Sequence, residues 1–218
     1  MRSRLDEELA LLNRELIRMG AQCEEAIATA ARALREADTD LAARIPPMEK
    51  AIDARERDVE TLCMKLLLQQ QPVARDLRQI SAALKMITDL ERIGDQSSDI
   101  SEIIGYLGGR RMEQFDLVDD MADATIHMVT ESVDAFVKQD VSIAYDVIKY
   151  DDVVDSKFVE IKQSLIQLLG THPDAGEYAI DLLMIAKYFE RIGDHAVNVA
   201  EWVVYSITGI HKGENIEA

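Results

Sequence analysis

Aromatic side chains are scarce in this chain: Phe, Trp and Tyr together make up 5% of its 218 residues. Proline is scarcer still, occurring only at Pro46, Pro47, Pro72 and Pro173. A chain short of both, and rich in Ala, Leu, Ile, Glu and Asp, favours helix, because most of these side chains lose little freedom there. The wide proline spacing leaves room for long uninterrupted helices. No apolar run reaches 18 residues, which argues against a membrane-spanning helix. The opening Met1-Arg2-Ser3-Arg4-Leu5-Asp6-Glu7-Glu8 lacks the apolar stretch of a secretory signal. Basic charge is outnumbered, 24 Lys and Arg against 41 Asp and Glu, for a net charge of -17. Such a balance excludes the basic patches that hold nucleic acid or anionic lipid without sequence preference. Only Cys23 and Cys63 carry thiols, both on apolar helix faces, so reduced and buried cysteines in a cytoplasmic protein are expected. Glycine-rich phosphate loops, nucleophile elbows and histidine zinc motifs are missing too, and enzymatic activity is not expected.

What is present is a helical pattern that runs twice. Leu5, Leu9, Leu12, Leu16, Met19, Cys23, Ile27 and Leu34 step by three and four and predict a first helix ending near Asp38. Asp38-Thr39-Asp40 caps a second helix, broken or restarted at Pro46-Pro47 and running to about Gln71. A third spans about 73–106, and Gly105, Gly108, Gly109 and Arg110-Arg111 form a linker. The plan then repeats with helices over about 113–138, 141–169 and 175–208. A turn at Gly170-Thr171-His172-Pro173 separates the last two, and the tail 209–218 is expected to fray. The expected fold is all-α, two tandem pseudo-repeated antiparallel three-helix bundles, with domains at 1–108 and 112–218.

The repeat is sharpest in Glu91-Arg92-Ile93-Gly94-Asp95 and Glu190-Arg191-Ile192-Gly193-Asp194. Each copy sets two carboxylates four residues apart on one helix face, where like charges cost a few tenths of a kcal/mol. Helical periodicity puts Glu91, Asp95, Asp99 and Glu102 opposite the apolar face of Met86, Leu90, Ile93, Ile100 and Ile104. Glu190, Asp194, Asn198 and Glu201 stand likewise on the last helix, so both rows read as outward stripes. One helix earlier lie Glu49…Asp53 and Asp151…Asp155. Measured from the turns at Pro72 and Pro173, these come level with Asp95 and Asp194 in antiparallel hairpins. Each half could thus gather an all-oxygen patch suited to hard cations such as Mg²⁺, Mn²⁺, Ca²⁺ or ferric iron. With 41 acidic residues, roughly eight i,i+4 acidic pairs arise by chance, so only the matched repetition carries weight. Gly94 and Gly193 read as close-packing positions, and Arg92 and Arg191 as neutralisers of nearby acids. His127, His172, His195 and His211 are scattered, and no Glu-x-x-His pair of the di-iron bundle type faces the core.

Gln71-Pro72-Val73-Ala74-Arg75-Asp76-Leu77-Arg78, Asp89-Leu90-Glu91-Arg92-Ile93-Gly94-Asp95 and Glu190 through Asn198 together resemble the PhoU family, accessory proteins of phosphate-specific transport. The resemblance spans essentially the whole chain. It implies two pseudo-repeated three-helix bundles associated as a homodimer, with acidic motifs that hold multinuclear metal clusters, iron or zinc in some members. Carried onto this sequence, the metal ligands are Glu49, Asp53, Glu91, Asp95 and Asp99, then Asp151, Asp155, Glu190 and Asp194. Iron, zinc, manganese or magnesium are the candidate ions, and Asn198 in place of a second Asp99 makes the second patch less anionic. The implied role is negative regulation of phosphate uptake and of the phosphate-starvation regulon. It would act through the ATPase subunit of the phosphate ABC transporter and a sensor histidine kinase, without nucleic acid or direct membrane insertion. A metal-storing or carboxylate-metal helical protein and a purely structural helical oligomer are the alternatives.

Overall fold

Each long helix is made by one apolar stripe. In the computed structural model, which describes residues 2–70, 72–110 and 115–210 and the side chains from 4 on except Gln70, α1 covers Arg2–Glu36. Leu12, Met19, Cys23 and Ile27 are fully buried along it. The break expected at the double proline is a true restart: a four-residue α2, Thr39–Ala42, is followed by α3, Ile45–Gln70. Pro46 and Pro47 fall in the first turn of α3, where their missing N–H groups cost nothing. Asp38 caps α2 by accepting from the Leu41 amide at 2.9 Å. α4 covers Ala74–Leu107 and closes on Gly108 in the left-handed region.

The second half repeats the order with α5 Phe115–Lys138, α6 Val141–Thr171, one 3-10 turn Pro173–Ala175 and α7 Gly176–Thr208. α6 thus carries two residues of the expected turn, Gly170 and Thr171, in its last turn. The expected start at Glu113, the Arg111 end of the linker, the Gln71 helix end and the tail 211–218 lie outside the described residues. The repetition reaches into backbone detail. Ala37 and Gln139, at φ 53 and φ 52, end α1 and α5 in the left-handed conformation, and each is followed by an aspartate that caps the next helix.

The fold is all-α, two tandem three-helix bundles, but they share one continuous core. α1, α3 and α4 pack together, as do α5, α6 and α7, while α4 also lies along α7 and α1 along α5. Among the described residues, the α4–α7 contact is the most extensive. Both of these helix pairs run antiparallel: Arg35 of α1 reaches Asp119 of α5 while Gly20 lies against Val133, and Asp89 of α4 meets Asn198 of α7 while Asp99 meets Tyr188. No helix among the described residues is long and apolar enough to cross a membrane.

Candidate metal centre

Gly94 lets α4 approach α3 closely: a Cβ there would lie 2.9 Å from Ile52 Cδ1 and 3.3 Å from its Cγ2. That close crossing brings the acidic faces of the two helices together. Oxygens of Glu49, Asp53 and Asp95 converge to within 4.8 Å of one another, each side chain half-buried. Burial raises the Glu49 carboxyl above its usual range, and the charges of Asp53 and Asp95 add to the effect. Glu91 is raised in the same way, first by burial and then by Asp95, with relief from Arg92. Arg92 pairs with Asp95 at 2.9 Å and Glu91 at 3.5 Å from the solvent side.

One atom decides whether these residues suit a cation. Asp53 Oδ1 is buried with no hydrogen-bond partner. A carboxylate oxygen shut away from water without a donor is costly. A hard cation would offset that cost and the mutual repulsion of the carboxylates at once. The donor set is entirely carboxylate, which suits Mg²⁺, Mn²⁺, Ca²⁺ or iron rather than a thiolate-loving ion. Glu49, Asp53 and Asp95 would hold such an ion, with Glu91 alongside. The ion would supply concentrated positive charge that cross-links α3 to α4.

The second half gathers Asp151 and Asp155 of α6 with Glu190 and Asp194 of α7. Burial raises Asp151 to about 6, with Asp155, Asp194, Glu190 and Asp152 adding to it. Among the described residues, this set does not bring three oxygens as close as the first does. Glu190 is engaged instead by Lys187, 2.5 Å away.

The outward stripes divide in the structure. Asp99 turns toward the other half, where the Tyr188 hydroxyl bears on it and offsets part of the rise that burial gives its carboxyl. Asn198 donates to Asp89 at 3.0 Å, and His195 Nδ1 lies 2.9 Å from the same oxygen. Asn198 is therefore a seam residue, bonded across to the first half. Asp89, Tyr188 and Lys187 carry this chemistry without having been singled out by spacing. Glu56, three residues after Asp53 on the same face, joins the first cluster: burial raises it, with Glu60 and Asp53 adding. The i,i+3 relation to Asp53 was the available signal for Glu56. No period within one helix could have paired Asp89 with His195. Both cysteines are buried and free, and burial pushes the Cys63 thiol up to about 12.

The family model of the PhoU domain matches residues 16–104 and again 118–203. The chain belongs to the PhoU family. A phosphate-specific transport system accessory protein PhoU homolog of Clostridium acetobutylicum is 36% identical over 208 residues, 94% of each chain. The homolog of Pseudomonas aeruginosa is 32% identical, over 93% of this chain and 84% of its own. The crystal structure of PhoU from P. aeruginosa superposes with a TM-score of 0.91, at 32% identity, over 94% of this chain and 99% of that one. The phosphate transport system regulatory protein PhoU from Streptococcus pneumoniae gives 0.88 at 25% identity, over 94% and 98%. The likeness thus takes in both halves and the seam between them.

Proposed function

We propose that this protein is a regulatory adaptor of phosphate homeostasis, not an enzyme, and that it restrains phosphate uptake and the phosphate-starvation response. The observation that carries this reading is full-length likeness to relatives named as accessory proteins of phosphate-specific transport. Its partners are then the ATPase subunit of the phosphate ABC transporter and a sensor histidine kinase, met at the cytoplasmic face of the membrane. The working form is a homodimer, and the units divide between 108 and 112. Rigid bundles suit such work, because they offer long helical faces to which partners dock. The metal sites belong to the same reading. Glu49, Asp53, Glu91 and Asp95 hold ions in the first half, Asp151, Asp155, Glu190 and Asp194 hold them in the second, and Asp99 flanks the first.

The test is an alkaline phosphatase reporter in phosphate-replete cells lacking the gene. Constitutive expression is expected, silenced when the wild-type gene is restored. Reporter activity that is the same with and without the gene would sink the regulatory reading.

A further inference from the structure

Aligning Glu49 with Asp151 and Glu91 with Glu190 exposes two substitutions beside the acidic clusters: Glu56 is matched by Phe158, and Thr88 by Lys187. In the first half Glu56 adds a carboxylate that bears on Glu91, and Thr88 is exposed, its hydroxyl turned back to the Leu84 carbonyl at 3.4 Å. In the second half the Lys187 ammonium stands 5.4 Å from the centroid of the Phe158 ring and 2.5 Å from Glu190 Oε2. It also bears on Asp194, whose carboxyl it draws back toward its ordinary range. The equivalent of Arg92, Arg191, bears instead on Asp99 of the other half. The cation of the second cluster has therefore moved from the residue between the motif acids to one resting on the aromatic ring.

We propose that Lys187 is a resident counter-cation of the second cluster, which an incoming metal ion must displace from Glu190, so that the first cluster fills first. This rests on the reading that the clusters bind metal. A competing effect exists: Asp152 stands where the first half has Lys50, which makes the field around Asp151 more negative. Field strength would favour the second cluster. Coordination is short-ranged, however, and needs oxygens within roughly 2.0–2.6 Å of the ion. Each cluster has a cation beside it. Arg92 reaches Asp95 and Glu91 from the solvent side and leaves the oxygens of Glu49, Asp53 and Asp95 converged, one of them unpartnered, whereas Lys187 holds Glu190 at 2.5 Å in a set that is not so gathered.

The experiment is a Mn²⁺ titration of the full-length protein, with free Mn²⁺ followed by electron paramagnetic resonance. Two classes of site are expected in the wild type, the tighter lost in Asp53→Asn and the weaker in Asp155→Asn. Lys187→Met should tighten the weaker class about tenfold and leave the tighter one alone. Thr88→Lys, on an exposed side chain, should weaken the tighter class by a similar factor. It provides a second test should Lys187→Met disturb the fold. Loss of the tighter class in Asp155→Asn, or a weaker class unmoved by Lys187→Met, overturns the role of Lys187 while leaving the metal reading intact. A wild-type protein that takes up no Mn²⁺ overturns both.

Discussion

Beneath the first acidic cluster Gly94 crosses Ile52, and beneath the second Gly193 crosses Val154. The pentapeptide above each crossing is the same, but the space is not. A Cβ on Gly94 would stand 2.9 Å from Ile52 Cδ1. On Gly193 it would make ordinary contacts, 3.5 Å to Val154 Cγ1 and to Met128 Sδ and 3.6 Å to Asp151 Oδ1. Ile52 reaches one carbon further than Val154, and its Cγ2 also stands closer, at 3.3 Å. A matching pair lies deeper in the bundles: the Cys23 thiol donates to the Leu90 carbonyl at 3.2 Å, and the Thr125 hydroxyl, which donates to the Met121 carbonyl of its own helix at 3.0 Å, lies 3.4 Å from the carbonyl of Phe189. The backbone slot is shared while its occupant differs. The halves thus keep the positions at which helices meet and vary the side chains that fill them, and identical motifs do not guarantee identical constraints.

The sharpest way to break this comparison lies at the α1–α5 seam, where Gly20 is matched by Ala122. A Cβ on Gly20 would meet Val133 Cγ2 at 2.6 Å and Cγ1 at 2.9 Å, and every rotamer of Val133 leaves a γ-carbon on that side. Gly20→Ala should therefore cost about 3 kcal/mol, the upper range for overpacking. Urea unfolding would measure the loss, and pairing it with Val133→Ala should give a protein no less stable than Val133→Ala alone. The α3–α4 and α6–α7 crossings come next. Gly94→Ala should destabilise by about 1–2 kcal/mol, because the fully buried Ile52 must move and the helix gains only part of that back. Gly193→Ala should stabilise by about 0.5–1 kcal/mol, the ordinary preference of a helix for alanine where there is room. Equal effects at the two glycines would show that the crossings are alike and the comparison wrong.

Periodicity made the helices and the acidic rows of the molecule readable. Apolar residues such as Leu12, Met19 and Ile93 repeat with the helix, and the stripe is set by burial within one element. Pairing Glu49 and Asp53 with Asp95 needed one further step, the level of residues around a short turn, and these three do converge. The sequence was silent where two halves meet. Asp99 lies on the same helix face as Asp95, and only the packing of α7 along α4 delivers Tyr188 to it. The seam is fixed by tertiary contacts between residues about a hundred positions apart, which carry no local period. Lys187 was hidden for another reason: its partner Glu190 is an ordinary i,i+3 neighbour, and its meaning appears only against Thr88 in the other half.

The remaining test bears on the unequal electrostatics of the clusters. Burial, reinforced by Asp155, Asp194, Glu190 and Asp152, lifts Asp151 from 3.8 to about 6. Between those values the folded chain binds a proton that the unfolded chain has released, so stability falls as pH rises through that window and stays low above it. Asp151→Asn removes the charge. In a metal chelator at about pH 7.5 it should raise stability by about 1 kcal/mol, the shift being discounted for the water that reaches the cluster. At about pH 4 the gain should vanish, since the folded wild type then carries little charge at this position. Melting temperatures of both proteins at the two pH values decide the matter, and a gain of the same size at both would mean that the charge of Asp151 is not what loads the second half. Saturating Mn²⁺ should remove the advantage of the variant at neutral pH, because the carboxylate that strains the empty cluster is the one that would hold the ion.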